Sequence, residues 1–352
     1  MTDALHDIGE KNLLRQIQKY LGKSRRIVRT FSEDCAVINA TGEYYQLFTM
    51  DVLVEGVHFR RDFMPAYYVG RKGLKANLSD IAAMGGEPLF FLVSIGAPAD
   101  TSLQWIQELY EGMASVSKEA DVLLIGGNVS DAPVLFLDIA VIGRVLKKKV
   151  RMRSTAKSGD SIFVTGRLGA SAEGLKLLQD GFRCVGGGAG SVILPGGQND
   201  SSYVRDAILS HFDPPLLIDL ARQLAALTGV HAMMDVSDGI ASDIGEICRE
   251  SKVGAQVELS RIPIHPSVLH WERKRKSEPV LLALYGGEDY HLLFTASAVA
   301  KKRIRETAVK AGLEFFEIGK IVDAREGISA IDQKGSKTPL GQGYEHFKTQ
   351  RS

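Results

Sequence analysis

Apolar residues at Leu13, Leu14, Ile17, Tyr20 and Leu21 fall at helical spacing, and Gly22 ends the run. Strand-like runs follow at 36–39, 44–49, 89–97, 122–125 and 134–145, with helical periodicity between them at 67–84 and 102–119. A basic stretch, 147–153, interrupts the pattern and reads as a solvated linker. Beyond it a strand is predicted at 160–165, helices at 170–179 and 214–227, and a strand at 231–236. Further elements alternate at 240–250, 279–285, 291–295 and 298–311. This alternation predicts an α/β (α+β) fold, and 352 residues are enough for two domains, 1–146 and 147–352. Segment 184–202, rich in glycine and without apolar period, reads as a flexible surface insertion. It follows a helix rather than a strand, so it is not a dinucleotide fingerprint.

Charge narrows the function classes. Lys and Arg number 43 against 42 Asp and Glu, so nothing suggests bulk attraction to nucleic acid or to an anionic membrane. The apolar run at 88–99 is far short of the ~20 residues of a membrane span. The first 22 residues carry charges throughout and do not read as a signal peptide. Cys35, Cys184 and Cys248 are odd in number and far apart, which argues against a disulfide framework or a zinc knuckle. A reducing cytoplasm is the expected location.

Familiar motifs fail. GKS at 22–24 has Ile17 where a P-loop needs glycine, and DVSDG at 235–239 has its glycine one position too early for a calcium loop. What remains is a set of short acidic segments beside glycines or strand ends: 32–35, 49–52, 77–80, 126–128, 235–239 and 286–290. Each alone reads as a cap or a turn. Asp51, between a strand and Val52-Leu53-Val54, and Asp80, inside an apolar helical run, do not. Half-buried carboxylates need partners, and few Lys or Arg are near them in sequence. A hard divalent ion, Mg²⁺, is the expected partner, and Mg²⁺ held by aspartates points to phosphate chemistry.

The order of these segments resembles the thiamine-monophosphate kinase family. EDCAVI (33–38), DVLVEGVHF (51–59), NLSDIAAMGGEP (77–88), IGGN (125–128), DVSDG (235–239), YGGEDYHLLF (285–294) and GYEHF (343–347) carry the resemblance. That family belongs to a superfamily with aminoimidazole ribonucleotide synthetase, HypE and selenophosphate synthetase. The resemblance implies ATP-dependent phosphorylation of thiamine monophosphate to thiamine diphosphate. It also implies a homodimer in which two N-terminal sheets join into a barrel-like core. By motif matching, Asp34, Thr49, Asp51, Asp80, Asn128, Asp235 and Asp238 would hold several Mg²⁺ ions. Gly127, Asn128, Arg153 and Ser237 would contact ATP, and His58, Glu288 and Phe347 the thiamine phosphate.

Three positions depart from the family pattern. Ser32 stands where the family has glycine, Met50 where it has a hydroxyl residue, and Asn128 where it has aspartate. They motivate two alternatives: a nucleotide-binding regulatory protein on the same fold, or a kinase or ligase of the superfamily acting on another small molecule.

Overall fold

A computed structural model describes residues 5–30, 32–40, 42–184, 192–193 and 201–341. After helix α1 (Leu5–Ile17), the first half builds a six-stranded sheet from β1 (Ile27–Arg29), β2 (Ala36–Asn39), β3 (Tyr44–Val54), β4 (Glu87–Ala97), β5 (Leu123–Asp131) and β6 (Phe136–Leu146). The strand order is β1-β2-β3-β6-β4-β5. All pairs are antiparallel except β4–β5. Helices α2 (Ala66–Ala83) and α3 (Leu103–Ala120) are inserted after β3 and β4.

Alternation along the strands sorts the two faces. Leu47 and Leu53 on β3, Phe91 and Val93 on β4, and Leu137, Ile139 and Val141 on β6 are buried. The opposite face is apolar yet open. Phe48, Ile142 and Phe90 form one cross-strand row, and Met50, Ala140 and Leu92 the next. Phe48, Met50, Phe90 and Leu92 are exposed on it, as is the whole of edge strand β5.

The second half carries a seven-stranded mixed sheet ordered β10-β12-β7-β13-β11-β14-β15. Its strands are β7 (Ser161–Thr165), β10 (Val230–Asp235), β11 (Gly254–Glu258), β12 (Leu292–Ala296), β13 (Phe315–Val322), β14 (Ile328–Ile331) and β15 (Lys337–Pro339). Strands β8 (Arg183–Cys184) and β9 (Val192–Ile193) form a separate pair. The helices are α4 (Ala170–Gln179), α5 (Ser201–Phe212), α6 (Ile218–Ala225), α7 (Ile240–Ser251), α8 (Pro266–Arg275), α9 (Val280–Tyr285) and α10 (Lys301–Ala311). The result is a mixed α/β fold of two sheet-centred domains.

Several expected elements change in extent. Strand β3 runs straight through Asp51, because its pairing with β6 continues from Tyr44 to Val54. Asp51 is therefore in mid-strand; it is reached by solvent, yet partial burial and then the Asp138 carboxylate raise its pKa above the usual range. The Gly126-Gly127-Asn128 segment is not a turn but part of β5, held in parallel register beside Leu92-Val93-Ser94. The helix expected at 214–227 is confined to Ile218–Ala225, while 201–212 is helical without having been expected. Most of the insertion at 184–202 lies outside the described residues.

Helix α2 ties the halves together. Nearly every residue from Ala66 to Ala83 is buried, including Arg71, Lys72, Lys75 and Asn77. Buried charge must be paired. Arg71 meets Asp213 and Glu119, each at 2.9 Å, and Lys75 meets Asp213 at 2.6 Å and the Pro214 carbonyl at 2.9 Å. The polar side chains of α2 thus reach helix α3 and the α5–α6 connection at once.

Candidate active site

Three carboxylates from three segments converge. Asp34 precedes β2, Asp80 sits in the last turn of α2, and Asp235 ends β10. Their oxygens lie within 4.8 Å of one another. Thr49 Oγ1 donates to Asp80, and Ser79 Oγ donates to Asp235 at 2.6 Å. Asn77 Oδ1 accepts from the Asp51 backbone N–H at 3.0 Å, which fixes α2 against β3. Thr49 and Asp51 are two residues apart and so share the sheet face with Asp80.

Burial, then repulsion from Asp51, Asp235 and Asp34, drives the Asp80 carboxyl far above the usual range. Burial, then Asp34, pushes Asp235 up to about 7. Arg153 is the cation at the cluster, with NH2 2.5 Å from Asp34 Oδ1. Arg153 is expected among the nucleotide contacts, and here it pairs with Asp34, 119 residues away in the chain, a partner that local reading does not show. Adjacent Glu33 does not join the carboxylates. It accepts from the Arg153 N–H at 2.6 Å and the Ser154 hydroxyl at 2.7 Å, so it ties the start of β2 to the second half. Three hard oxygen donors with incomplete charge compensation fit a divalent ion such as Mg²⁺.

A cavity of about 560 Å³ opens beside this cluster. Asp51, Asp80, Asp235 and Asp238 line one end, and His58, Lys72 and Glu288 also line it. His58 Nδ1 accepts from the Val54 N–H at 3.1 Å, which closes the turn after β3. Glu288 sits in the Gly286–Tyr290 loop, clasped to the 235–239 loop by Glu288 N–H to the Ser237 carbonyl (2.7 Å) and Tyr290 N–H to the Val236 carbonyl (2.9 Å). The clasp is tight enough that a Cβ at Gly287, where φ is +68°, would lie 2.5 Å from the Ser237 carbonyl oxygen. Glu288 and Tyr290 themselves adopt left-handed φ of 56° and 50°, a strained backbone of the kind found at functional sites. Neighbouring Asp289 points elsewhere and accepts from the Gly169 N–H at 2.7 Å, at the start of α4. Burial would raise the Glu288 carboxyl, but the Lys72 ammonium beside it outweighs burial and holds it below the usual range. A second cavity, about 340 Å³, is lined by Arg153, Ser237, Asp238 and Asp243 among others. Glu10, Ser237 and Asp238 line both cavities.

The model for the AIR synthase related protein N-terminal domain matches residues 32–145, and that for the C-terminal domain matches 157–332. A thiamine-monophosphate kinase of Bacillus subtilis is 34% identical over 322 residues, covering 90% of this chain and 92% of the relative. The chain belongs to the thiamine-monophosphate kinase family. A relative of the same name from Synechococcus elongatus is 33% identical and covers 99% of this chain and 100% of its own. A solved structure described as AaThiL complexed with AMPPCP and TMP superposes with a TM-score of 0.82 at 29% identity, covering 98% of this chain and 99% of that one. HypE structures, at 17% identity and a TM-score of 0.70 for one in complex with HypF, share the fold.

Set against the family pattern, the departures find physical readings. Met50 is on the sheet face opposite Thr49 and Asp51, and it is 61% exposed, so its side chain is turned away from Asp80. Gly127 and Asn128 lie on edge strand β5 and line neither cavity. A Cβ at Gly127 would lie 1.8 Å from the Val93 carbonyl oxygen, so the close approach of β5 to β4 requires glycine there. Phe347 lies outside the described residues. Sequence reading missed Lys72, His211 and Glu33. A charged residue two helical turns before Asp80 was the available signal for Lys72.

Asp80→Asn is expected to lower kcat by ~10²–10³, the usual cost of losing one preorganised electrostatic contact. Its unliganded melting temperature is expected to equal or slightly exceed that of the wild type, because burial and neighbouring carboxylates already disfavour a charge on Asp80. Asp62→Asn is the control: that side chain is exposed and pairs with Arg60 at 2.7 Å, and kcat is expected to be unchanged. Steady-state kinetics with saturating ATP and Mg²⁺ decide. An Asp80→Asn variant above about a tenth of wild-type kcat would remove Asp80 from the metal site.

Proposed function

We propose that this chain is a kinase that transfers the γ-phosphoryl group of ATP to thiamine monophosphate and releases thiamine diphosphate. The observation that carries this reading is the Asp34–Asp80–Asp235 cluster opening into a cavity that His58 and Glu288 also line. The volume suits a small molecule. The acceptor is a phosphate monoester with a second pKa near 6, so it is largely ionised at neutral pH and requires no general base. In-line positioning and charge neutralisation are then sufficient. Bound Mg²⁺ would neutralise charge between protein carboxylates and phosphate oxygens. Asp34, Asp80 and Asp235 would be its main ligands, with Thr49, Asp51 and Asp238 supporting.

Arg153 and Ser237 line the second cavity, which suits it to nucleotide. His58 and Glu288, with Phe347, would take the thiamine moiety. No helix among the described residues is long and apolar enough to cross a membrane. A cytoplasmic location agrees with a substrate pair of soluble phosphates. Purified protein incubated with ATP, Mg²⁺ and thiamine monophosphate should yield thiamine diphosphate, resolved by chromatography. Unchanged thiamine monophosphate would refute the reading.

The open apolar face argues for a homodimer. Among the described residues, rows headed by Phe48–Phe90 and Met50–Leu92 have no covering layer, and β5 leaves an unpaired edge. A second copy would cover the face and protect the edge, joining two first-domain sheets into a barrel-like core. Light scattering is expected to give about 77 kDa, twice the 38.3 kDa chain. A mass that stays at one chain across concentrations would sink the dimer.

A further inference from the structure

One wall of the larger cavity is a single stripe of α2. Lys72, Ala76 and Asp80 are spaced by four residues, so they stack along one side of the helix, and all three line the cavity. Two turns separate the ends of the stripe, about 12 Å along the axis at ~1.5 Å per residue. Asp80 lies at the carboxylate cluster. Lys72 marks the far end, and the small Ala76 leaves room between.

At that far end the Lys72 ammonium is buried, with its side chain 2% exposed and Nζ 2.9 Å from Glu288 Oε1. Nζ makes no aligned hydrogen bond among the described residues. A buried ammonium requires a counter-charge, and Glu288 is the carboxylate in ion-pair reach of it among those residues. On the other side, His211 Nδ1 lies 3.3 Å from Glu288 Oε2 and 3.1 Å from Ser171 Oγ. Burial, then Lys72, lowers the His211 pKa to about 3, so the ring is neutral at neutral pH. Each oxygen of Glu288 is therefore flanked by a buried side chain, while the Glu288 side chain as a whole keeps 31% exposure and lines the cavity. Its left-handed backbone leaves little freedom beneath it.

We propose that Lys72, aided by His211, is a positioning residue for the acceptor end of the site: it holds Glu288 charged and in one orientation toward the ring system of thiamine monophosphate. The proposal rests on the function given above. Lys72 acts through Glu288 and does not touch the phosphates. Its loss therefore weakens acceptor recognition and leaves nucleotide recognition intact.

The test is a double-mutant cycle on the full chain with Lys72→Met, Glu288→Gln and the double variant, reading kcat and both KM values, with thermal melts as a folding control. Lys72→Met is expected to raise KM for thiamine monophosphate by about 10–100-fold, as loss of an orienting outer residue commonly does. KM for ATP should stay within about twofold. The double variant should match Glu288→Gln within about twofold, because Lys72 then has nothing left to position. If Lys72→Met does not fold, that comparison still decides, since the double variant removes both charges. Three results would overturn the proposal: a further tenfold or larger rise in the double variant (about 1.4 kcal/mol), a fall in kcat with KM unchanged, or no change in either. A wild-type protein that leaves thiamine monophosphate unphosphorylated overturns the functional reading and this proposal together; an active wild type isolates the failure to Lys72.

Discussion

Three carboxylates forced within 4.8 Å of one another, with one arginine beside them, are the constraint around which the molecule is arranged. At an effective dielectric of ~20, each pair would repel by about 3.5 kcal/mol if both were ionised, which helps push the Asp80 and Asp235 carboxyls above the usual range. No chain would hold that arrangement for stability alone. Strand β2, helix α2 and strand β10 each deliver one member, so the cluster forms only when the two sheet domains are docked. Arg153, at the start of the second half, compensates part of the charge and is itself fixed through Glu33 and Asp34. The remaining negative charge is what a divalent ion and a polyphosphate ligand together can neutralise.

Helix α2 translates this constraint into a binding site. Its last turn delivers Asp80 to the cluster, and Asn77 pins the helix to β3. Two turns earlier Lys72 faces Glu288 from the second half. Arg71 and Lys75 on neighbouring faces are anchored at Asp213, in the α5–α6 connection. A shift of α2 would therefore disturb the metal end and the acceptor end of the cavity together. Burying so many charged groups in one helix costs stability that apolar residues would not cost. Their retention makes sense as positioning.

Much of this was legible in the chain itself. The acidic segments were readable because a carboxylate among apolar neighbours has no local explanation, and Asp34, Asp80 and Asp235 do meet. The alternation of helices and strands pointed to two α/β units because periods of 2 and 3.6 separate at 44–49 and 67–84. Elements failed where tertiary pairing overrode local signals: β5 continues through Gly126-Gly127 because β4 supplies the ladder, and β3 continues through Asp51 because β6 does. Partners distant in sequence were out of reach. Arg153 on Asp34 and Lys72 on Glu288 span 119 and 216 positions, and no periodicity encodes such contacts. Met50 shows the converse: a departure from the family pattern that looked consequential in sequence is turned to the far face of the sheet.

The claim that the carboxylate cluster requires a divalent ion before it can accept a polyphosphate is open to one direct measurement. Calorimetric titration of the full chain with ATP, in EDTA and again in excess Mg²⁺, reads it without any turnover. The account predicts affinity in EDTA at least about 100-fold weaker, ~2.7 kcal/mol, because unscreened carboxylates and phosphates repel. Equal affinity in the two buffers would contradict it.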